Sequence, residues 1–169
     1  MKYTNLLLEL KNKLSEHHLE ESIANIILED LLGSHYYVFL NEQVQEEHLI
    51  RVSEILDRLY KKEPIQYILG YTYFYGLKIN VNKDVLIPRN ETEELVEWVL
   101  KSEFRENITI VDVGCGSGCI ALAIKKNRPS WNVIGVDISK DALKVAKENA
   151  EKLNLDVTFI ESDLLENIN

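Results

Sequence analysis

Apolar residues recur along the first sixty positions with a helical period. Leu6, Leu7, Leu10 and Leu14 share one face. Ile23, Ile26, Ile27 and Leu31 form a second stripe, with Asp30 as its polar exception, and Gly33-Ser34 breaks the pattern as a helix end does. Ser34 is placed to cap a short helix over HYYVFL. A third helix is predicted from Gln45 to Lys62, with Leu49, Val52, Leu56, Leu59 and Tyr60 on one face and Glu63-Pro64 as its stop. No strand pattern occurs before residue 70. Residues 1–69 therefore read as a helical bundle without catalytic groups.

The period changes at residue 70. In GYTYFYGLKINVNKDVLI, aromatic and β-branched residues alternate around Gly76 and again around Asn82-Lys83-Asp84, which predicts a β-hairpin and linker over 70–87. In PRNETEELVEWVL, Pro88 precedes a helix whose first turns carry Glu91, Glu93 and Glu94, matched to the positive end of its dipole. Leu95, Trp98 and Val99 are its expected buried face. From Ile108 the pattern is strand (ITIVDV), glycine turn, helix (Ser117 to Lys126), strand (VIGVD), helix, strand (VTFIESD). Ser139 can cap the second of these helices, which carries Leu143, Ala146, Ala150 and Leu153 on one face. Such alternation builds a parallel sheet with right-handed crossovers.

Composition narrows the class. Of 169 residues, 46% are apolar and 28% charged, the mixture of a globular chain with a core. No run of roughly 18 apolar residues is present, so no membrane-spanning helix is expected. The N-terminal MKYTNLLLELKNKL contains Glu9 and no small-residue cleavage site, so it reads as an amphipathic helix and not a signal peptide. The formal charge of −9 comes from 19 basic and 28 acidic residues. Direct contact with a nucleic-acid backbone is disfavoured, whereas a basic protein partner is compatible. Cys115 and Cys119 are the only cysteines. They are too few for a zinc site and too close along a tight turn for a structural disulfide, and fit a reducing cytoplasm.

The candidate chemistry lies in VDVGCGSGCIA, residues 111–121. Glycines in a strand–turn–helix remove Cβ atoms so that a ligand can lie against backbone. Dinucleotide folds use G-x-G-x-x-G/A with pyrophosphate at the helix N-terminus. Here Gly114 and Gly116 fit, but Cys119 stands at the third position and the actual spacing adds Gly118. Asp112, ahead of the turn, repels a pyrophosphate and suits a cationic ligand. S-adenosylmethionine (SAM) has a sulfonium and an ammonium group, and D-x-G-x-G-x-G is the usual methyltransferase form. Asp137 ends the next strand, where an acid can accept hydrogen bonds from a ribose diol. Asp163 follows the third strand, near the place where SAM enzymes meet the adenine amino group.

These segments together resemble the release-factor glutamine methyltransferases, the PrmC/HemK family. The resemblance runs through the helical region, EPIQYILG at Glu63–Gly70, YFYGLKI, VLIPRNETEELVEWVL at Val85–Leu100, VDVGCGSGCIALA, GVDIS and ESDLL. The Ile87–Glu93 segment is the most diagnostic. The resemblance implies an N-terminal α-helical bundle (1–69), a β-hairpin linker (70–87), and the first half of an α/β Rossmann-like class I SAM-dependent methyltransferase domain (88–169). It implies N5-methylation of the glutamine in the Gly-Gly-Gln motif of peptide chain release factors, which are the expected partners. Carried over residue by residue, Gly114, Cys115, Gly116, Ser117 and Gly118 form the cofactor turn, Asp137 holds the ribose, and Asp163 with Leu164 flanks the adenine. Arg89, Thr92 and Glu93 shape the pocket entrance, or equally Thr92 caps its helix and Arg89 forms a surface ion pair. Phe74 borders the cofactor or is plain core.

The family's catalytic Asn-Pro-Pro-Tyr, after its fourth strand, is not in the sequence: Pro64, Pro88 and Pro129 are the only prolines, and none adjoins another. The chain therefore reads as the N-terminal, SAM-binding portion without catalytic residues. An exposed strand at Ile108–Val113 is then expected to invite self-association. Three other readings stay open: a methyltransferase for another protein glutamine, a dinucleotide-dependent oxidoreductase, and a non-enzymatic adaptor.

Overall fold

The computed structural model describes residues 1–102 and 105–168. It divides into two compact units, Met1–Leu69 and Gly70–Asn169.

The first unit is helical: α1 (Tyr3–Glu16), α2 (Ile23–Leu32), a 3₁₀ turn (Tyr36–Phe39), α3 (Glu46–Tyr60) and the short α4 (Ile65–Leu69). Tyr3, Leu6, Leu10 and Leu14 of α1 face its core, with Leu7 at the margin. The buried residues of α2 are Ala24, Ile27 and Leu28; of the expected stripe Ile27 is core and Ile23 and Leu31 pack against it, whereas Ile26 is exposed. IANIILEDLL is apolar on several sides, so periodicity admits two stripes, and the small Ala24 marks the packed one. In α3 the core face is Val52, Ile55, Leu56 and Leu59, while Leu49 lies out. Ser34 caps nothing: the 3₁₀ turn starts after His35 with no side-chain cap bond. Arg58 explains the EPIQYILG segment. Its Nε and Nη2 donate to the two carboxylate oxygens of Glu63 (2.7 and 2.6 Å), and Nη1 donates to the Ile68 carbonyl at 3.2 Å. One guanidinium thus spans the chain reversal at Pro64 and ties α4 to the end of α3.

The second unit starts with the antiparallel pair β1 (Tyr71–Phe74) and β2 (Leu77–Asn80). Tyr75 and Gly76 join them at φ +48° and +74°, the left-handed pair of a two-residue type I′ turn. The non-glycine Tyr75 is held there by an external bond: its N–H donates to Glu93 Oε1 at 2.7 Å. The segment read as a linker is packed into this unit, with Phe74, Leu77, Ile79, Val81 and Val85 all buried.

Next comes α5 (Glu91–Ser102), which buries Val96 and Leu100. Of the expected face, Val99 is half-buried, whereas Leu95 and Trp98 are exposed, at 44% and 67%. The parallel sheet β3 (Thr109–Val113), β4 (Asn132–Asp137), β5 (Thr158–Glu161) has order β3-β4-β5, with crossovers through α6 (Cys119–Asn127) and α7 (Lys140–Leu153). Ser139 does cap α7, accepting from Ala142 N–H at 3.2 Å. Leu143, Ala146 and Ala150 of α7 are buried as expected. β3 pairs with β4 alone among the described residues, so its other edge is open.

Removing the Glu93 carboxylate should loosen the hairpin. Glu93→Ala is expected to lower stability by about 1–3 kcal/mol, the range for a charge-assisted hydrogen bond, and Glu93→Gln should recover most of it. Urea unfolding midpoints check this; equal loss in both variants would contradict the assigned role.

Candidate functional site

The carboxyl ends of parallel strands are where open α/β sheets bind ligands. Here β3 ends in Asp112-Val113, β4 in Asp137, and β5 leads into Ser162-Asp163. Between β3 and α6 the chain turns through Gly114, Cys115, Gly116, Ser117 and Gly118, and the three glycines have φ of +75°, +53° and +78°.

The glycines have different reasons to be glycine. A Cβ added at Gly114 or Gly116 would meet nothing within 4 Å, so open space lies above the turn. At Gly118 it would come within 3.0 Å of the Phe159 ring and 3.2 Å of Ala146 Cβ. Helix–sheet packing and a positive φ therefore both call for glycine at 118.

The turn is pinned by hydrogen bonds. Gly114 and Cys115 N–H donate to the Val136 carbonyl at 2.8 and 2.9 Å, and Gly118 N–H donates to the Cys115 carbonyl at 2.8 Å. Gly116 N–H donates to Asp137 Oδ2 at 2.9 Å, while Asp137 Oδ1 accepts from Ser139 N–H at the same distance. Asp137 therefore locks turn to α7 start, each oxygen keeping a lone pair for a further donor. Asp112 Oδ2 accepts from Ala121 N–H at 3.2 Å, in the first turn of α6. Burial, opposed by that bond and aided by Asp137, pushes the Asp112 carboxyl up to about 6. Burial likewise holds the Cys115 thiol at about 12 and Cys119 at about 11, so both stay protonated and neither is a nucleophile at neutral pH. Both thiols are free.

This arrangement discriminates between ligands. A pyrophosphate needs bare N–H groups at the helix start. Here one N–H of the first α6 turn, that of Ala121, is already met by the Asp112 carboxylate, and a second acid stands at Asp137. A ligand with positive charge and a diol fits these groups.

Asp112, Gly114, Cys115, Gly116, Ser117, Gly118 and Asp137 are thus brought together. Ser162 N–H donates to the Asp137 carbonyl at 3.1 Å, which sets the start of the Asp163-Leu164 loop beside the β4 end. Both of those residues are exposed. Of the other candidates, Phe74 is buried core and opens on no surface. Glu93 holds the hairpin, and Thr92 lies inside the first turn of α5, not at its cap. Arg89 is exposed. Sequence reasoning missed two residues. Asn149 is buried on α7 and bonded to the turn at Ser117. Gly135, in β4, lets Phe159 lie across the strand. A glycine within a β-branched run was the available signal for the second.

Comparison with known proteins agrees with this geometry. A family described as a methyltransferase domain matches residues 104–169, and one described as the PrmC N-terminal domain matches residues 5–70. The strand–turn–helix part of the second unit thus matches a methyltransferase domain. Release factor glutamine methyltransferases are the relatives: that of Flavobacterium psychrophilum is 38% identical over 165 residues, covering 86% of this chain and 58% of the relative. Those of Bacillus subtilis and Streptococcus pneumoniae are 43% and 42% identical over 90% and 84% of this chain, and 56% and 50% of their own lengths. The chain is similar to these release factor glutamine methyltransferases along most of its own length, and spans 50 to 58% of theirs. No helix among the described residues is long and apolar enough to cross a membrane.

Proposed function

We propose that this chain is the cofactor-holding portion of an enzyme that transfers the methyl group of SAM to the glutamine side-chain nitrogen in the Gly-Gly-Gln motif of peptide chain release factors. The carrying observation is the open glycine turn at Gly114 and Gly116 with Asp112 and Asp137 at the ends of β3 and β4. SAM supplies an electrophilic methyl group on a sulfonium. The chain's own work is to orient it: the turn backbone gives a surface without side chains, Asp137 offers acceptors to the ribose, and Asp163 with Leu164 borders the adenine. Asp112 places negative charge behind the turn. The helical unit serves release-factor recognition, in a cytoplasmic setting. The acidic balance of −9 favours a protein over a nucleic-acid contact. The open edge of β3 is a template for a second strand, so copies of this chain self-associate through Ile108–Val113 unless another strand covers it.

Calorimetry with S-adenosylhomocysteine and with NADH tests the cofactor assignment: the first binds, the second does not. The 2′-deoxy analogue of S-adenosylhomocysteine should bind more weakly by about 1–3 kcal/mol, because it leaves an Asp137 acceptor unanswered without touching the turn. NADH binding, or equal affinity for both nucleosides, would refute the assignment. A pH series adds a signed check. Asp112 is protonated below about 6 and charged above. Preference for the cationic SAM over the neutral thioether should therefore grow as pH rises through about 6, and a flat ratio would contradict it.

A further inference from the structure

Asn149 is 1% exposed on the inward face of α7. A buried amide is costly unless its hydrogen-bonding groups are answered, and here they are. Oδ1 accepts from Asn80 N–H at 2.7 Å, and Nδ2 donates to the Asn80 carbonyl at 3.1 Å and to the Ser117 carbonyl at 3.0 Å. One donor on one side and two acceptors on the other fix the amide orientation. Asn80 ends β2, so the side chain takes both backbone groups of that residue, as a neighbouring strand would. Its remaining proton reaches into the glycine turn.

The peptide it holds there is the one between Ser117 and Gly118. The carbonyl of that peptide is fixed by Asn149 and its N–H by the Cys115 carbonyl at 2.8 Å. On the other flank, Gly116 N–H is fixed by Asp137. The turn is thus clamped from β4 and from α7. Packing alone does not call for an asparagine at this point, since an apolar side chain of similar size fills the same volume. The amide adds direction.

We infer that Asn149 is a positioning residue for the methyl-donor site: it sets the 117–118 peptide of the glycine turn and couples the end of the hairpin strand β2 to cofactor affinity, without touching the cofactor. The inference rests on the proposed cofactor reading of the turn. Asn149→Asp is the informative variant. It keeps the acceptor for Asn80 N–H and loses both donors. When ionised it faces two carbonyl oxygens, and when protonated it regains one donor. Affinity for S-adenosylhomocysteine, divided by that of the wild type at the same pH, should fall about tenfold to a hundredfold at about pH 8. It should recover to within about threefold near pH 5.5, where a buried carboxyl is protonated. The wild-type divisor removes the contribution of Asp112. Asn149→Ser, which leaves room for water to answer the orphaned groups, serves as the second variant, with circular dichroism as the folding control.

In ligand-free protein, the Gly118 amide should exchange with solvent at least about tenfold faster in both variants than in the wild type. An affinity ratio that is unchanged, or reduced equally at both pH values, overturns the inference, as does wild-type exchange at Gly118 in a variant that stays folded. If the wild type binds no S-adenosylhomocysteine, the cofactor reading fails, and the Gly118 exchange rate alone then decides whether Asn149 sets the turn.

Discussion

A polypeptide of these 169 residues, given SAM and a release factor, leaves the Gly-Gly-Gln glutamine unmethylated, with radiolabelled methyl incorporation at background. The physical reason is the nucleophile. An amide nitrogen has its lone pair delocalised into the carbonyl, so it attacks a methyl group only when held in line and suitably polarised. The family resemblance assigns that task to an Asn-Pro-Pro-Tyr sequence, and no two prolines are adjacent here. Orientation of this kind supplies up to about 7–11 kcal/mol of a barrier, so its loss removes measurable turnover. Cofactor binding should persist, because the glycine turn and both aspartates are complete. Incorporation above background would show that the described groups suffice to hold the glutamine.

Gly135→Ala should unfold the second unit at markedly lower denaturant. The added Cβ would lie 2.6 Å from both Cδ1 and Cε1 of Phe159, closer than real Cβ atoms approach. Phe159 is a rigid ring with 8% exposure, packed over the sheet and also against the Gly118 position, so it has little room to retreat. A loss of about 1–3 kcal/mol is expected for overpacking of this kind. Backbone strain plays no part, because Gly135 is not among the residues with positive φ. Phe159→Leu in the same chain should relieve the clash, so that the double variant is more stable than the two single losses predict by at least about 1 kcal/mol. Strictly additive urea midpoints would contradict the assigned contact.

What the sequence disclosed follows from locality. The strand–turn–helix with its glycines, the Ser139 cap and the acid at the end of β4 are written within a few residues of one another, and they stand where expected. The helix stripes of α2 and α5 were placed only in part, with Ile26, Leu95 and Trp98 exposed against expectation, because IANIILEDLL and LVEWVL carry apolar residues at consecutive positions. Local period then cannot decide between two faces. For α5 the bulkiest candidates, Leu95 and Trp98, lie outward, and only the packed small stripe of Val96 and Leu100 identifies the true face. Asn149 was invisible for another reason. Its partners Asn80 and Ser117 are 69 and 32 residues away, and an asparagine in a charged helix reads as surface until the fold is built. Glu93 likewise read as a helix-dipole charge, whereas it also holds a turn 18 residues upstream.

The central claim is that the open side of the Gly114–Gly118 turn receives a SAM-type ligand. Titration of ¹⁵N-labelled protein with S-adenosylhomocysteine tests it most directly, read amide by amide. The account predicts saturable shifts at Gly114, Gly116, Ser117, Asp137 and Asp163, with Gly33 and the α1 amides unmoved. Shifts confined to the groove lined by Lys147, Asn154 and Phe159, or no saturable shift at the glycine turn, would contradict it.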